Sequence, residues 1–447
     1  MKDNANFTEG SIVRPLIGFA LPVLLALCLQ SLYGAVDLLV VGQFGTAADV
    51  SAVATGSQMM HMVTVVITGL AMGTTILLGQ AMGGRKEKLA GEIMGSSICF
   101  FLLVAVGVTV LMLGIAEPFT SLMHAPEEAF SKTMGYVRIC SCGTIFIVAY
   151  NVLGSIFRGL GDSRTPLFTV ACACVFNIAG DLVFVAGLHM EASGAALATV
   201  LAQAFSVILC LGIIKKKGLP FPFSRKNIKF NREINGRILK VGLPVALQDG
   251  LVNISFLVIN AIVNSLGVVP SAGVGVAEKV CAFIMLVPSS FSQSLSAFVA
   301  QNIGAGKRKR ARESMVCGMA ASLMVGIVMA YLAFFHGDML AGIFSKDQAV
   351  ILAAADYLKA YAIDTLIVSF LFCYIGFFNG CGKTKFVMVQ GIAGAFGVRI
   401  PVSYLVSQME GATLFQIGLA TPCSTVVQII LCTAFFVFMM RKERYSM

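Results

Sequence analysis

Asp37 is the only charged residue in a long apolar stretch, residues 21–45 (LPVLLALCLQSLYGAVDLLVVGQFG). A segment of this length can cross a lipid bilayer. An ionised carboxylate inside the membrane costs roughly 2.5–3.5 kcal/mol on insertion scales, so such residues usually serve a function. Asp37 is therefore a candidate for binding a cation or a proton. The alternative is a structural acid that is satisfied by a neighbouring helix.

Asp181 and Asn177 form a second candidate pair in a later apolar stretch. They are four residues apart, which places a carboxylate and an amide on one face of a helix. Thr199 follows in the next stretch, among small residues that allow helices to approach closely. Together with Asp37, these groups are hard oxygen donors suited to Na⁺ or to a shared proton. For Asn177 and Thr199 the alternative is a hydrogen bond between helices.

Weaker candidates lie in the C-terminal half of the chain. Asp249 and Asn253 form another pair four residues apart, and Asp364 and Arg399 lie in later apolar stretches. We predict that these four residues line a substrate cavity, with a purely structural role as an equally weighted alternative.

Composition identifies a polytopic membrane protein. The chain has 447 residues, and its 12% of charged residues is about half the share in soluble domains. The net charge of +10 does not indicate nucleic-acid binding, because the basic residues fall in short loops between apolar segments. The thirteen cysteines include no CxxC pair and have no histidine nearby. We therefore expect no cofactor, and no enzyme, since no interfacial cluster of His, Asp or Cys is present.

Apolar runs of membrane length predict an all-α protein with twelve transmembrane helices. The predicted spans are residues 15–42, 50–80, 90–115, 131–157, 166–188, 192–214, 237–264, 272–300, 313–335, 350–378, 386–406 and 412–440. If the N-terminus is cytoplasmic, the inner segments hold 26 of the 32 lysines and arginines. The sequence therefore predicts a multi-pass cell-membrane protein with both termini in the cytoplasm.

The two halves of the chain repeat one another. Residues 20–23 (ALPV) match residues 242–245 (GLPV) at an offset of 222, and the GxG turn at Gly159 matches the one at Gly380 at 221. We predict two six-helix bundles, residues 1–214 and 237–447, joined by a basic cytoplasmic linker at 215–236. Because six spans separate the copies, a pseudo-two-fold axis should run along the membrane normal, an arrangement that suits alternating access.

The acids are not repeated, since Asp37 corresponds to Ile259 and Asp181 to Val402. The N-terminal bundle is therefore predicted to hold the cation site. In the first span, Pro22 removes a backbone hydrogen bond and Gly34 lies between it and Asp37. We expect this span to be the one that bends when the site is occupied.

Several motifs resemble the multidrug and toxic compound extrusion (MATE) transporters across essentially all twelve spans. They are VDLLVVGQFG around Asp37, GLPVALQ at 242–248, AQNIGAGKRKRA at 300–311, GLGDSRTP at 159–166 and the segment from Asn177 to Gln203. The resemblance implies a secondary antiporter that exports organic, often cationic or lipophilic compounds in exchange for Na⁺ or H⁺. The pattern is similar to the DinF-like branch, whose cation site corresponds here to Asp37, Asn177, Asp181 and Thr199.

The sequence departs from the branch named for NorM, which has further acids where this chain carries Val252, Asn253 and Val368. Asp249 and Asp364 lie about one helical turn from those positions. The resemblance leaves one alternative function, a lipid or lipid-linked oligosaccharide flippase of the same superfamily. In either case we expect a monomer in the bilayer that acts on small organic or lipid substrates.

Overall fold

Long apolar helices form nearly all of the protein. The computed structural model describes residues 7–122 and 126–445, and the description below concerns these residues. Eleven continuous helical stretches are long and apolar enough to cross a membrane, and a bent pair of shorter helices supplies a twelfth. The prediction of an all-α protein with twelve spans is confirmed.

The N-terminal half contains seven α-helices, a π-helical segment and a short 3₁₀ turn. They are α1 (Val13–Phe44), α2 (Ala47–Gly83), α3 (Glu87–Leu122), α4 (Glu127–Cys142), α5 (Thr144–Gly159), α6 (Arg164–Asp181), the π-helix Leu182–Gly187, α7 (Glu191–Lys217) and the 3₁₀ turn Arg225–Asn227.

The C-terminal half contains ten α-helices and a second π-helical segment. They are α8 (Arg232–Asn264), α9 (Val268–Ile284), α10 (Leu286–Gly304), α11 (Arg308–Phe335), α12 (Gly337–Gly342), α13 (Gln348–Gly380), α14 (Thr384–Gly394), the π-helix Ala395–Arg399, α15 (Ile400–Ser407), α16 (Leu414–Gly418) and α17 (Ala420–Tyr445).

The fourth span is broken, which the hydropathy pattern does not show. Helices α4 and α5 meet at Gly143 with a bend of 53°. A side chain at Gly143 would overlap Val200 on α7, so only glycine allows this close approach. The break therefore results from packing against another helix.

The chain divides into two compact units that do not follow the two halves at every point. One unit consists of residues 21–246 with short additions near Glu9 and at Ala300–Gly306, and the other contains the remainder, including Gly10–Ala20. Helix α1 passes from one unit to the other between Ala20 and Leu21, and α8 does so between Ala246 and Leu247. Both crossings lie within three residues of a proline inside the helix, Pro22 or Pro244. The predicted boundaries at 214 and 237 remain predictions, and residues 1–6 and 446–447 lie outside the described residues.

Each unit has its own buried core. The first core contains large side chains from α2 to α5, such as Ile67 and Ile156. The second is centred on α13, where Tyr357 and Leu358 are buried. Helices with outward apolar side chains surround these cores, which is the pattern expected of a protein whose outer surface faces lipid.

Candidate functional site

The four residues of the predicted cation site come together in the first unit. Asp37 lies on α1, Asn177 and Asp181 lie on the last turns of α6, and Thr199 lies on α7. The Thr199 hydroxyl donates a hydrogen bond to Oδ2 of Asp37 at 3.2 Å. The side chains of Asp181 and Asn177 lie near the Asp37 carboxyl group but form no hydrogen bond with it. We call these four residues the acidic cluster.

The acidic cluster is buried and its polar atoms are poorly satisfied. Asp37, Asn177 and Asp181 are 5%, 1% and 0% exposed. Within the described protein, one oxygen of Asp37, both oxygens of Asp181 and both side-chain polar atoms of Asn177 have no hydrogen-bond partner. Native proteins rarely bury unpaired polar groups, since each costs about 1–3 kcal/mol. These atoms therefore point to a ligand that satisfies them.

The chemistry of the acidic cluster suits a small cation or a proton. Its free atoms are mainly carboxylate and amide oxygens, and none of the ion pairs formed by the described residues involves Asp37 or Asp181. Two neighbouring carboxylates cannot both remain ionised in a low-dielectric interior without compensation. A proton would allow one carboxyl to donate a hydrogen bond to the other, and Na⁺ would find hard oxygen ligands there.

Close packing of α6 on α7 brings Asp181 towards Thr199. A Cβ atom at Gly180 would lie only 3.0 Å from Cβ of Ala198, so the two helices touch beside these polar residues. Directly after Asp181 the chain changes from α- to π-helix at Leu182–Gly187. Single-turn π segments are rare and occur frequently at functional sites.

A small cleft adjoins the acidic cluster, which contributes Asn177 and Thr199 to its wall. The other lining residues combine aromatic, small and polar side chains: Tyr33, Tyr150, Val170, Ala173, Ala202, Gln203 and Ser206. The cleft thus opens directly beside the polar side chains of the acidic cluster.

Polar residues around the cleft were not identified from the sequence. The Gln30 amide donates to the Tyr150 hydroxyl at 2.6 Å, joining α1 to α5. The side-chain oxygen of Gln203 is buried without a partner. Glutamine and tyrosine occur in the membrane spans of proteins with many different functions. The sequence therefore does not single these residues out, and only their proximity in the structure identifies them as part of the site.

The candidates in the second unit do not form one group. Asn253 is exposed and donates to the backbone carbonyl of Asp249 on its own helix, at 2.8 Å. Asp364 and Arg399 are both buried, at 2% and 6% exposed. Asp364 accepts a 2.6 Å hydrogen bond from Thr425, whereas Arg399 donates to Ser255 at 3.2 Å.

Neither Asp364 nor Arg399 takes part in the ion pairs of the described residues. The Arg399 guanidinium stacks 4.5 Å above the Phe256 ring, a cation–π contact within one unit. That Asp364 and Arg399 line a substrate cavity remains a prediction. Arg399 lies on the second π-helical segment, Ala395–Arg399.

Pro22 and Gly34 both lie within α1, which is helical from Val13 to Phe44. A Cβ atom at Gly34 would meet no other atom within 4 Å. Space is therefore available around this part of α1, and its proposed bending remains a prediction.

The fold and the acidic cluster define a polytopic helical transport protein built from two related halves. A family model, MatE, matches the chain twice, at residues 22–183 and 244–405. The two matches begin and end 222 residues apart, which confirms the internal repeat. The chain belongs to the MatE family, that is, the MATE transporters, and is a transporter rather than an enzyme.

Individual relatives agree with this assignment. The chain is 24% identical to the probable multidrug resistance protein YoeA of Bacillus subtilis (strain 168), with 98% of this chain and 96% of the relative covered. It is 28% identical to the probable multidrug resistance protein YpnP of the same organism, with 93% of each covered. A crystal structure of a MATE protein in the straight conformation shares the fold, with a TM-score of 0.90, 18% identity and 98% of each chain covered.

Proposed function

We propose that the protein is a secondary antiporter of the cell membrane. It exports organic, often cationic or lipophilic compounds in exchange for Na⁺ or H⁺, and both of its termini lie in the cytoplasm. The observation that carries the proposal is the acidic cluster, in which buried carboxylate and amide atoms lack hydrogen-bond partners beside a small open cleft. The names of the bacterial relatives support drug-like compounds as the class of substrate.

Cation entry and substrate export are coupled because the two ligands compete for one site and because occupancy changes the shape of that site. A cation or proton in the acidic cluster compensates one of the two buried negative charges and so relieves their repulsion, which stabilises the conformation in which Asp37 and Asp181 are close. An organic cation in the cleft competes for the same negative charge. Exchange of one for the other at opposite sides of the membrane gives antiport, with α1 as the helix that changes shape.

The residue pattern supports the DinF-like branch, with Asp37, Asn177, Asp181 and Thr199 as the cation site. The flippase alternative is less well supported, because a lipid-linked pyrophosphate needs a cationic pocket and the acidic cluster has the opposite charge. We therefore assign the negative charge of the first unit to cation binding.

The test is efflux of ethidium from vesicles that contain the purified protein. We expect either an imposed Na⁺ gradient or an imposed pH gradient to drive efflux, and the Asp37→Asn variant to abolish it. A matched variant, Asp338→Asn, changes an acid at the start of α12, outside the first unit, and should retain transport. Gradient-independent movement of a lipid-linked sugar, without ethidium efflux, would overturn the proposal in favour of a flippase.

A further inference from the structure

Beyond the acidic cluster, the first unit contains a network of ion pairs at the ends of three helices. The Lys132 ammonium lies 2.8 Å from an oxygen of Asp49 and 2.8 Å from an oxygen of Glu191. Asp49 is in the first turn of α2, Lys132 is on α4 and Glu191 begins α7. The network therefore joins elements that are distant in sequence.

Asp49 is the centre of this network. Its side chain is fully buried, and its Oδ2 atom accepts from both the backbone N–H and the hydroxyl of Thr46, at 2.8 and 2.6 Å. Its Oδ1 atom accepts from Lys132 and, at 3.4 Å, from the backbone N–H of Ala192. One carboxylate thus holds both the turn between α1 and α2 and the start of α7. Because Asp49 itself is fully covered, loss of Lys132 would leave a buried charge without its counter-charge, so these contacts tie the two turns together.

The turn before α7 needs this support. His189 and Glu191 adopt φ values of +52° and +54°, in the left-handed region that residues with side chains avoid. Strained backbone of this kind persists only where surrounding contacts hold it in place. The contacts of Glu191 with Lys132 and of Ala192 with Asp49 supply that constraint.

The joined turns close the two helical hairpins that carry the acidic cluster. Asp37 lies seven residues before the end of α1, which is about 10 Å along a helix. Thr199 lies eight residues after Glu191, about 12 Å along α7. Asp181 precedes the π-helical segment that leads into the strained turn. Each arm of the acidic cluster is therefore attached, about two turns away, to the Asp49–Lys132–Glu191 network.

We propose that Asp49, Lys132 and Glu191 form a positioning clamp that sets the separation of Asp37 from Asp181 and Thr199, and so the cation affinity of the acidic cluster. The inference rests on the proposed role of the cluster in cation binding. Lys132 and Glu191 are partly exposed, with 27% and 51% of their side chains accessible, while Asp49 is fully covered. Substitutions of Lys132 or Glu191 can therefore alter the clamp without creating a cavity in the buried core.

The experiment uses fluorescence, because the native chain has no tryptophan. Phe205 on α7 stacks on Phe176 of α6, with ring centroids 4.8 Å apart, next to Asn177. A Phe205→Trp reporter in purified protein is titrated with Na⁺ at fixed pH and, separately, with acid. The compared variants are Lys132→Met, Lys132→Arg and, as a control, Lys88→Met at an exposed position on α3.

We expect Lys132→Met to raise the half-saturating cation concentration about tenfold, with the full signal change retained, a size typical of coupling between sites. Lys132→Arg keeps the positive charge. Its half-saturating cation concentration should therefore stay within about threefold of the wild-type value. Lys88→Met should match the wild type. If Lys132→Met does not fold, Glu191→Gln removes one arm of the clamp and should still raise the half-saturating concentration.

A folded Lys132→Met protein with unchanged half-saturation, or failure of Lys132→Arg to restore it, would overturn the clamp. In that case the network has only a structural role, and thermal stability alone would change. A reporter protein that responds to neither Na⁺ nor acid would overturn the proposed cation site, and the clamp with it. A responding reporter with unaffected variants would overturn the clamp alone.

Discussion

At the scale of single residues, Asp37 is the point where three helices meet through polar atoms. It accepts from Thr199 of α7 and lies beside Asn177 and Asp181 of α6. Its position in an apolar span is expensive, so its neighbours must recover that cost, and the cluster leaves several atoms without partners. We propose that a bound cation or proton satisfies them.

Asp37→Asn should abolish cation-driven efflux while the protein remains inserted and folded. The amide has nearly the same shape as the carboxylate but lacks its charge, and it can still accept the hydrogen bond from Thr199. Efflux from cells at matched expression measures the effect. Wild-type efflux by this variant would show that Asp37 has a structural role.

Thr199→Val should weaken cation binding without removing it. The substitution keeps the volume of the side chain and deletes the hydroxyl that donates to Asp37 at 3.2 Å. Loss of the hydroxyl oxygen as a possible ligand should raise the half-saturating Na⁺ concentration about tenfold. The proton affinity should instead increase, because the Thr199 O–H stabilises the ionised form of Asp37. Thr64→Val on α2 is the control, since that hydroxyl bonds only its own helix at Met60. Equal behaviour of the two variants would contradict the assigned role of Thr199.

At the scale of helices, the contact of α6 with α7 sets the geometry of the acidic cluster. Gly180→Val should disturb it, because even the Cβ atom would lie 3.0 Å from Cβ of Ala198. Overpacking of this kind costs about 1–3 kcal/mol. We expect a lower thermal midpoint and weaker cation binding. Gly212→Val is the control, because Gly212 lies on the same α6–α7 hairpin but faces open space, and this variant should retain cation binding. A similar loss of cation binding in both variants would exclude the helix contact as the cause.

Helix α1 is the proposed moving element, and its proline should matter more than the equivalent proline of α8. Both helices cross between the two units near a proline, but only α1 carries an acid of the cluster. Pro22→Ala should therefore impair coupled efflux more strongly than Pro244→Ala at matched expression. Equal losses, or a larger loss for Pro244→Ala, would argue against a switch in α1.

At the scale of the whole molecule, the distribution of basic residues fixes the predicted orientation. Nine lysines and arginines lie between Lys215 and Lys240, a stretch that comprises the end of α7, the connecting segment and the start of α8. The positive-inside rule places it in the cytoplasm. A single cysteine at Lys226, in a background without the native cysteines, should be protected from an impermeant thiol reagent in intact cells. It should react after permeabilisation, and rapid labelling of intact cells would reverse the orientation.

The sequence alone was sufficient to predict the transmembrane spans and the internal repeat. Membrane length and backbone hydrogen bonding leave an apolar run little choice except a helix, so hydropathy predicts α2 or α13 within a few residues. The repeat offset follows from landmarks such as Gly159 and Gly380, which the two family matches confirm. Asp37, Asn177, Asp181 and Thr199 were also chosen from the sequence, because polar groups in apolar spans are rare and costly.

Only the tertiary structure decided which polar groups meet. Helical periodicity is obscured in a chain that is apolar on all sides, so it does not show which faces of α1, α6 and α7 touch. The bend at Gly143 depends on Val200, and the clamp joins Asp49, Lys132 and Glu191 across more than 140 residues of sequence. Helix packing likewise gives Asp364 and Arg399 different hydrogen-bond partners, Thr425 and Ser255. Contacts between distant segments are set by how side chains fill the space between helices, and the pattern of each helix does not contain that information.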